Sequence, residues 1–133
     1  DALYDFGMNM GVAFQLQDDW LDVYGDPAVF GKNIGGDILC NKKTYLLIKA
    51  AERADADQRA QLEAWVDAVS FDPNEKIEAV TTLYNQLGVR KLCREKIEEY
   101  TRRAKVSLAA VNVAAEKKRE LEKLLNDLMC REA

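Results

Sequence analysis

Histidine is missing from all 133 residues. Its absence removes histidine general bases, Ser-His-Asp triads and most zinc sites at once, and leaves carboxylates, lysines or a metal ion to carry any chemistry. Proline is scarce as well, and two prolines with seven glycines leave room for long helices. No apolar run approaches the roughly 18 residues that span a bilayer, and no basic leader precedes an apolar segment. The three cysteines, Cys40, Cys93 and Cys130, are odd in number, far apart and without metal-ligand spacing. Reduced thiols with packing roles are expected, in a cytoplasmic protein with no transmembrane segment.

What is present fits one ordinary globular core: 48% hydrophobic and 32% charged residues. The net charge of −4 hides an asymmetry. Residues 1–40 hold seven aspartates and the single basic residue Lys32, whereas the remainder carries 18 basic and 16 acidic residues. Negative charge gathered at one end argues against a nucleic-acid groove and for bound cations.

The acids concentrate in Phe14-Gln15-Leu16-Gln17-Asp18-Asp19-Trp20-Leu21-Asp22. On a helix, Asp18 and Asp22 lie one turn apart on one face, with Asp19 beside them and Gln15 one turn before. At about 6 Å and an effective dielectric near 20, each pair of carboxylates repels by roughly 3 kcal/mol, less what solvent and salt screen. Either the three form a solvated face, or a cation relieves the repulsion. Clustered carboxylates without His or Cys suit a hard ion, and Mg²⁺ typically joins such carboxylates to water and a substrate's phosphates. Gly7 and Gly11 share this face. Each costs a helix roughly 0.8–1 kcal/mol relative to alanine, so something is expected close against the face, a second helix or an elongated ligand.

Gly25-Asp26-Pro27 ends the first helix, because the residue before a proline is pushed out of the α region and Gly25 can take a left-handed cap. The loop that follows sets Gly31, Gly35 and Gly36 around Lys32. Glycines let backbone approach a ligand and the lysine supplies a point charge, a pairing suited to phosphate oxygens. It is not a P-loop, since the Walker spacing is missing and a helix precedes it. Asn41-Lys42-Lys43-Thr44 is expected to open a helix through about Arg53, placing lysines at a helix N-terminus as anion-binding groups or as ordinary surface charge.

Phe14-Gln15-x-x-Asp18-Asp19-x-x-Asp22, then Gly25-Asp26-Pro27, Gly31-Lys32-x-x-Gly35-x-Asp37-Ile38 and Asn41-Lys42-x-Thr44, resemble the second aspartate-rich region of the trans-isoprenyl diphosphate synthases, which include farnesyl and geranylgeranyl diphosphate synthases. The match covers about a quarter of the chain, residues 14–44, and its ordered elements are far more specific than one Asp-Asp-x-x-Asp. The resemblance implies an all-α isoprenoid-synthase bundle whose central cavity holds Mg²⁺ between two aspartate-rich motifs. It implies Asp18, Asp19 and Asp22 as metal ligands, Asp18 the most direct. Gln15, Lys32, Asp37 and Lys42 become substrate-binding residues, and Asp18 and Lys32 the residues closest to catalysis. The implied reaction condenses isopentenyl diphosphate with an allylic diphosphate into a longer trans-polyprenyl diphosphate. A homodimeric parent is implied too.

Beyond residue 54 the sequence speaks of packing. A helical pattern over 57–69 places Leu62, Trp65, Val66 and Val69 inside, and Phe71-Asp72-Pro73 breaks it with Asp72 as N-cap and Pro73 first in the next helix. That helix runs to about Gln86 before Gly88. Stripes at 89–110 (Val89, Leu92, Cys93, Ile97, Tyr100, Ala104, Leu108) and 114–130 (Leu121, Leu124, Leu125, Leu128) read as core. Arg102-Arg103 and Lys117-Lys118-Arg119, interleaved with glutamates, read as solvated faces. With no repeat or linker, residues 1–133 read as one all-helical unit.

Parts of the synthase pattern do not occur here: the first aspartate-rich motif, the Gly-Lys and paired arginines for isopentenyl diphosphate, and a basic tail. Asp1-Ala2-Leu3-Tyr4 also shows no evident cap. The chain therefore reads as the C-terminal portion of a larger synthase, inactive alone. The alternatives are a non-catalytic helical subunit that modulates a partner synthase, or a terpene cyclase, whose second metal motif usually mixes Asn, Ser or Thr with Glu. Product length is not legible.

Overall fold

The computed structural model describes residues 1–26 and 34–130. Among them are seven helices and no strand: α1 (Ala2–Tyr24), α2 (Gly36–Leu39), α3 (Tyr45–Arg53), α4 (Ala56–Asp67), α5 (Pro73–Leu87), α6 (Val89–Ala109) and α7 (Ala115–Met129). The all-α expectation is met, and no described helix is long and apolar enough to cross a membrane.

Local chemistry fixes most boundaries. Asp1 does cap α1, its Oδ1 accepting from the Tyr4 N–H at 2.8 Å, so the uncapped reading is corrected. Asp55 and Gln58 form a reciprocal capping box on α4. Asp72 accepts from the Asn74 and Glu75 amides with Pro73 opening α5, as the sequence indicated. Gly88, at φ 72°, closes α5 in the left-handed conformation, and α6 begins at the next residue. At the end of α1 the Gly25 N–H returns to the Leu21 carbonyl at 2.8 Å. The positive-φ residues described are Gly35, Asn41 and Gly88, so the left-handed cap considered for Gly25 is not formed.

The chain divides into two compact units. One joins Asp1–Asp18 to the chain from Arg94 onward, with a core of Phe6, Ala104, Leu108, Val111 and Leu125 flanked by Ala2, Met10, Leu121 and Met129. The other, Asp19–Cys93, has α5 at its centre, with α2, α3 and α4 all packed against it. Its buried residues include Trp20, Leu21, Ile38, Leu46, Leu62, Val80, Leu83 and Tyr84.

Some core expectations fail. Val69 lies fully exposed because α4 stops at Asp67, two residues earlier. Leu124 is also exposed while its neighbour Leu125 is completely buried, since adjacent positions on a helix point about 100° apart.

Candidate functional site

All four acid-region candidates sit on α1: Gln15 exposed, Asp18 half-buried, and Asp19 and Asp22 buried at 5% and 9% exposure. A solvated face is thereby excluded for Asp19 and Asp22. A buried carboxylate needs hydrogen-bond donors or a counter-charge, and each has one. Asp22 Oδ2 accepts from the Asp37 N–H at 2.8 Å, and the Asp22 carbonyl accepts from the Gly35 N–H at 2.7 Å. Asp19 Oδ1 takes the Lys42 ammonium at 3.1 Å, and the same ammonium lies 3.9 Å from Asp37 Oδ2.

The turn that brings Asp37 and Lys42 to these acids rests on Gly35. Its φ is 96°, a region that L side chains rarely adopt. Space demands glycine as well, because a Cβ there would lie 2.7 Å from two Ile77 side-chain carbons. Downstream, the Lys42 N–H donates to the Asp37 carbonyl at 2.9 Å, closing the turn on itself.

Lys42 and Lys43 do not open a helix as expected. Thr44 is the N-cap of α3, its Oγ1 accepting from the Leu47 N–H at 3.2 Å, so the lysines precede the helix. A threonine three residues before a free amide competes better for the cap than any lysine can, since only its side chain accepts hydrogen bonds locally. Lys42 is turned instead to the α1 acids.

Lys32 lies outside the described residues. Gly7 and Gly11 are described, and among the described residues no atom beyond their immediate neighbours and the helix backbone would lie within 4 Å of a Cβ at either. No second helix of this chain packs there among the described residues. Leu3, Tyr4, Met8 and Val12 are exposed along the same half of α1.

Two features escaped the sequence reading. Arg90 lies over the Trp20 and Tyr24 rings at 5.7 and 4.9 Å, while Trp20 Nε1 donates to the Arg90 carbonyl at 3.2 Å. This clasp fixes the C-terminal turn of α1 that presents Asp22. Burial pushes the Tyr24 phenol up to about 12, against the lowering influence of Arg90. Tyr84 is raised further by its own burial, which outweighs its hydrogen bond with Thr44. The second feature is Lys76, 1% exposed. It stands in one stripe with Val80, Leu83, Tyr84 and Leu87 on α5. That register was the available signal that a lysine is buried.

Among the described residues, no group of three His, Cys, Asp or Glu converges on one ion-sized point. The donor chemistry nevertheless fits Mg²⁺. Every candidate ligand is a carboxylate, and one of them, Asp22, has its Oδ2 fixed by the Asp37 amide. Magnesium usually takes one or two protein carboxylates and completes its shell with water and phosphate.

The family pattern described as polyprenyl synthetase matches residues 1–87. This chain belongs to the polyprenyl synthetase family. It is 38% identical over 96 residues to the farnesyl pyrophosphate synthase of Gallus gallus, a match covering 72% of the chain and 25% of that enzyme. Among solved structures it is similar to a geranylgeranyl pyrophosphate synthase at 39% identity and a TM-score of 0.85, over 99% of this chain and 41% of that one. It is also similar to the geranylgeranyl pyrophosphate synthase of Corynebacterium glutamicum complexed with isoprenyl diphosphate and magnesium. There the identity is 32% and the TM-score 0.86, with 99% of this chain and 37% of that one covered. The chain thus spans about a quarter of the curated relative and about two-fifths of the solved ones.

Proposed function

We propose that this chain supplies the second aspartate-rich region and C-terminal helices of a trans-prenyltransferase that condenses isopentenyl diphosphate with an allylic diphosphate. The observation that carries this reading is the pairing of buried acids on α1 with the Gly35–Lys42 turn, in a polyprenyl synthetase. Two buried carboxylates are each tied to that turn, one through the Asp37 amide and one through the Lys42 ammonium.

In this reading Asp18, Asp19 and Asp22 hold Mg²⁺, with Asp18 the most direct ligand. When bound, the ion supplies fixed positive charge to the diphosphate leaving group. The protein's own part is positioning. Asp37 holds the Asp22 carboxylate through its amide, so the acid is oriented before any ligand arrives. Lys42, 42% exposed along its side chain and kept upright by Asp19, offers an ammonium to phosphate oxygens, and Lys32 adds a second. Gln15, one turn before Asp18, contacts the allylic substrate.

Charge set in advance around the diphosphate lowers the barrier to breaking the allylic carbon–oxygen bond. The double bond of isopentenyl diphosphate then supplies the electron pair for the new carbon–carbon bond. A proton leaves from the isopentenyl unit to the departing diphosphate, so a sequence without histidine suffices.

The reading carries with it a homodimeric, cytoplasmic parent in which these residues act as one all-helical unit that does not turn over alone. The test is Mg²⁺-dependent condensation by the full natural protein, beside its Asp18→Ala variant. Product formation that collapses in the variant supports the reading, and chromatography of the products gives chain length. A folded but inactive parent that associates with another synthase overturns it in favour of a modulating subunit.

A further inference from the structure

Lys76 is a second buried charge, on α5, that the proposed chemistry does not use. Burying an ammonium is stable only where partners replace its lost water. Two do so here. Nζ donates to Asn41 Oδ1 at 2.7 Å and lies 4.3 Å from the centre of the Phe71 ring. Among the described residues no carboxylate pairs with it, so its strongest partner is a neutral amide.

Asn41 is itself unusual. It holds φ 56°, the one non-glycine residue described at positive φ. Its amide bridges in two directions, accepting from Lys76 and donating through Nδ2 to the Val66 carbonyl at 3.1 Å. Asn41 therefore staples the turn to α5 on one side and to the end of α4 on the other. Asp37 stands four residues before it and Lys42 one after. Through those two, the turn meets Asp22 and Asp19.

We propose that Lys76 is a positioning residue, whose buried ammonium, acting through the Asn41 amide, tethers the Gly35–Lys42 turn at the register that sets Asp37 and Lys42 against the α1 acids. An apolar side chain in its place fills the volume but releases the Asn41 oxygen. The turn then loses its hydrogen bond to α5, and the amide bonds of Gly35, Asp37 and Lys42 open more often. Lys76 touches no substrate in this account. Its kinetic role rests on the prenyltransferase reading, whereas the tether does not.

The experiment is a double-mutant cycle in the full natural protein with Lys76→Met, Asn41→Gly and both together. Asn41→Gly keeps the left-handed turn accessible while removing only the amide. The first readout is hydrogen exchange of the Gly35, Asp37 and Lys42 amides, with α6 and α7 amides as internal controls. The second is KM for the allylic diphosphate against kcat.

Each single variant is expected to speed exchange across the turn by about tenfold or more and leave the control amides unchanged. The double variant is expected to match Asn41→Gly, which also loses the Nδ2–Val66 bond, because Lys76 acts only through the Asn41 amide. KM for the allylic diphosphate is expected to rise by about tenfold in all three, with a smaller change in kcat.

Unchanged exchange in Lys76→Met, or effects that add in the double variant, overturns the tether and leaves Lys76 a packing residue. Should Lys76→Met fail to fold, Asn41→Gly beside Asn41→Asp decides: both lose the Val66 bond, and only the glycine loses the acceptor for Lys76, so equal exchange in the two overturns the tether. A wild-type protein without prenyl transfer sinks the functional reading, yet the exchange data still decide whether Lys76 tethers the turn.

Discussion

The two halves of α1 obey opposite rules. From Leu3 to Val12 the helix buries Phe6 but leaves other apolar side chains exposed, with Leu3 at 51%, Tyr4 at 64% and Met8 at 53%, and no described atom close to a Cβ at Gly7 or Gly11. From Gln17 to Asp22 it buries polar and acidic ones: Gln17 at 3%, Asp19 at 5% and Asp22 at 9%. One continuous helix thus runs from an open apolar face to an enclosed charged one. Hydrophobic periodicity assumes a single rule along a helix, namely apolar inward and charged outward. That rule breaks where a site or an absent partner changes what lies opposite, so the exceptions carry the functional information.

The comparison breaks most sharply at Asp22. Asp22→Asn retains an oxygen for the Asp37 amide and removes the charge. In the full natural protein we expect condensation activity to fall by about a hundredfold or more, the usual size for losing one preorganised electrostatic group. The melting temperature should change little. If activity survives, the buried acid is structural and the two halves differ only in packing.

Gly35→Ala comes next. The left-handed backbone at that position and the collision with Ile77 together should destabilise the protein by about 1–3 kcal/mol, measured by denaturant unfolding. Loss of the turn should also weaken Mg²⁺-dependent pyrophosphate binding. A neutral outcome would mean that the turn is not held where Asp22 and Asp19 need it.

A smaller effect concerns pH. Tyr24 ionises near 10 when unfolded and near 12 when folded, so the unfolded chain releases its proton first as pH rises. The stability that the neutral phenol contributes is complete below pH 10 and is lost as pH climbs through 12. Unfolding curves at pH 9 and pH 11 should therefore diverge more for the wild type than for Tyr24→Phe. Equal slopes would show that the buried end of α1 is wetter than its contacts imply.

The smallest expected change is at the open end. Met8→Gln should shift stability by no more than about 0.5 kcal/mol, because a side chain already 53% exposed loses little. Sedimentation should show less self-association if that face is a sticky surface. A large loss of stability would mean that the face is covered after all, and the contrast within α1 would vanish.

Much of the fold was legible because it rests on local chemistry. Asp72 with Pro73 and Gly88 each act through backbone atoms within a few residues, so spacing alone reveals them. The amphipathic stripe of α6 was equally plain, with Val89, Cys93, Ile97, Ala104 and Leu108 all buried. The Thr44 cap is also local, but Lys42 and Lys43 beside it carry the charge pattern of an anion-binding helix start, whereas the threonine oxygen is the group that accepts an amide.

By itself the sequence determined that the chain is helical, where several of its helices stop to within a few residues, and which family it belongs to. All of these follow from neighbours along the chain or from an ordered motif. Tertiary structure alone decided that Asp19 meets Lys42, that Asp22 meets the Asp37 amide, and that Lys76 is buried against Asn41. These contacts join residues 15 to 35 positions apart. A charged side chain's cost or benefit depends on what surrounds it in space, and no local rule specifies that.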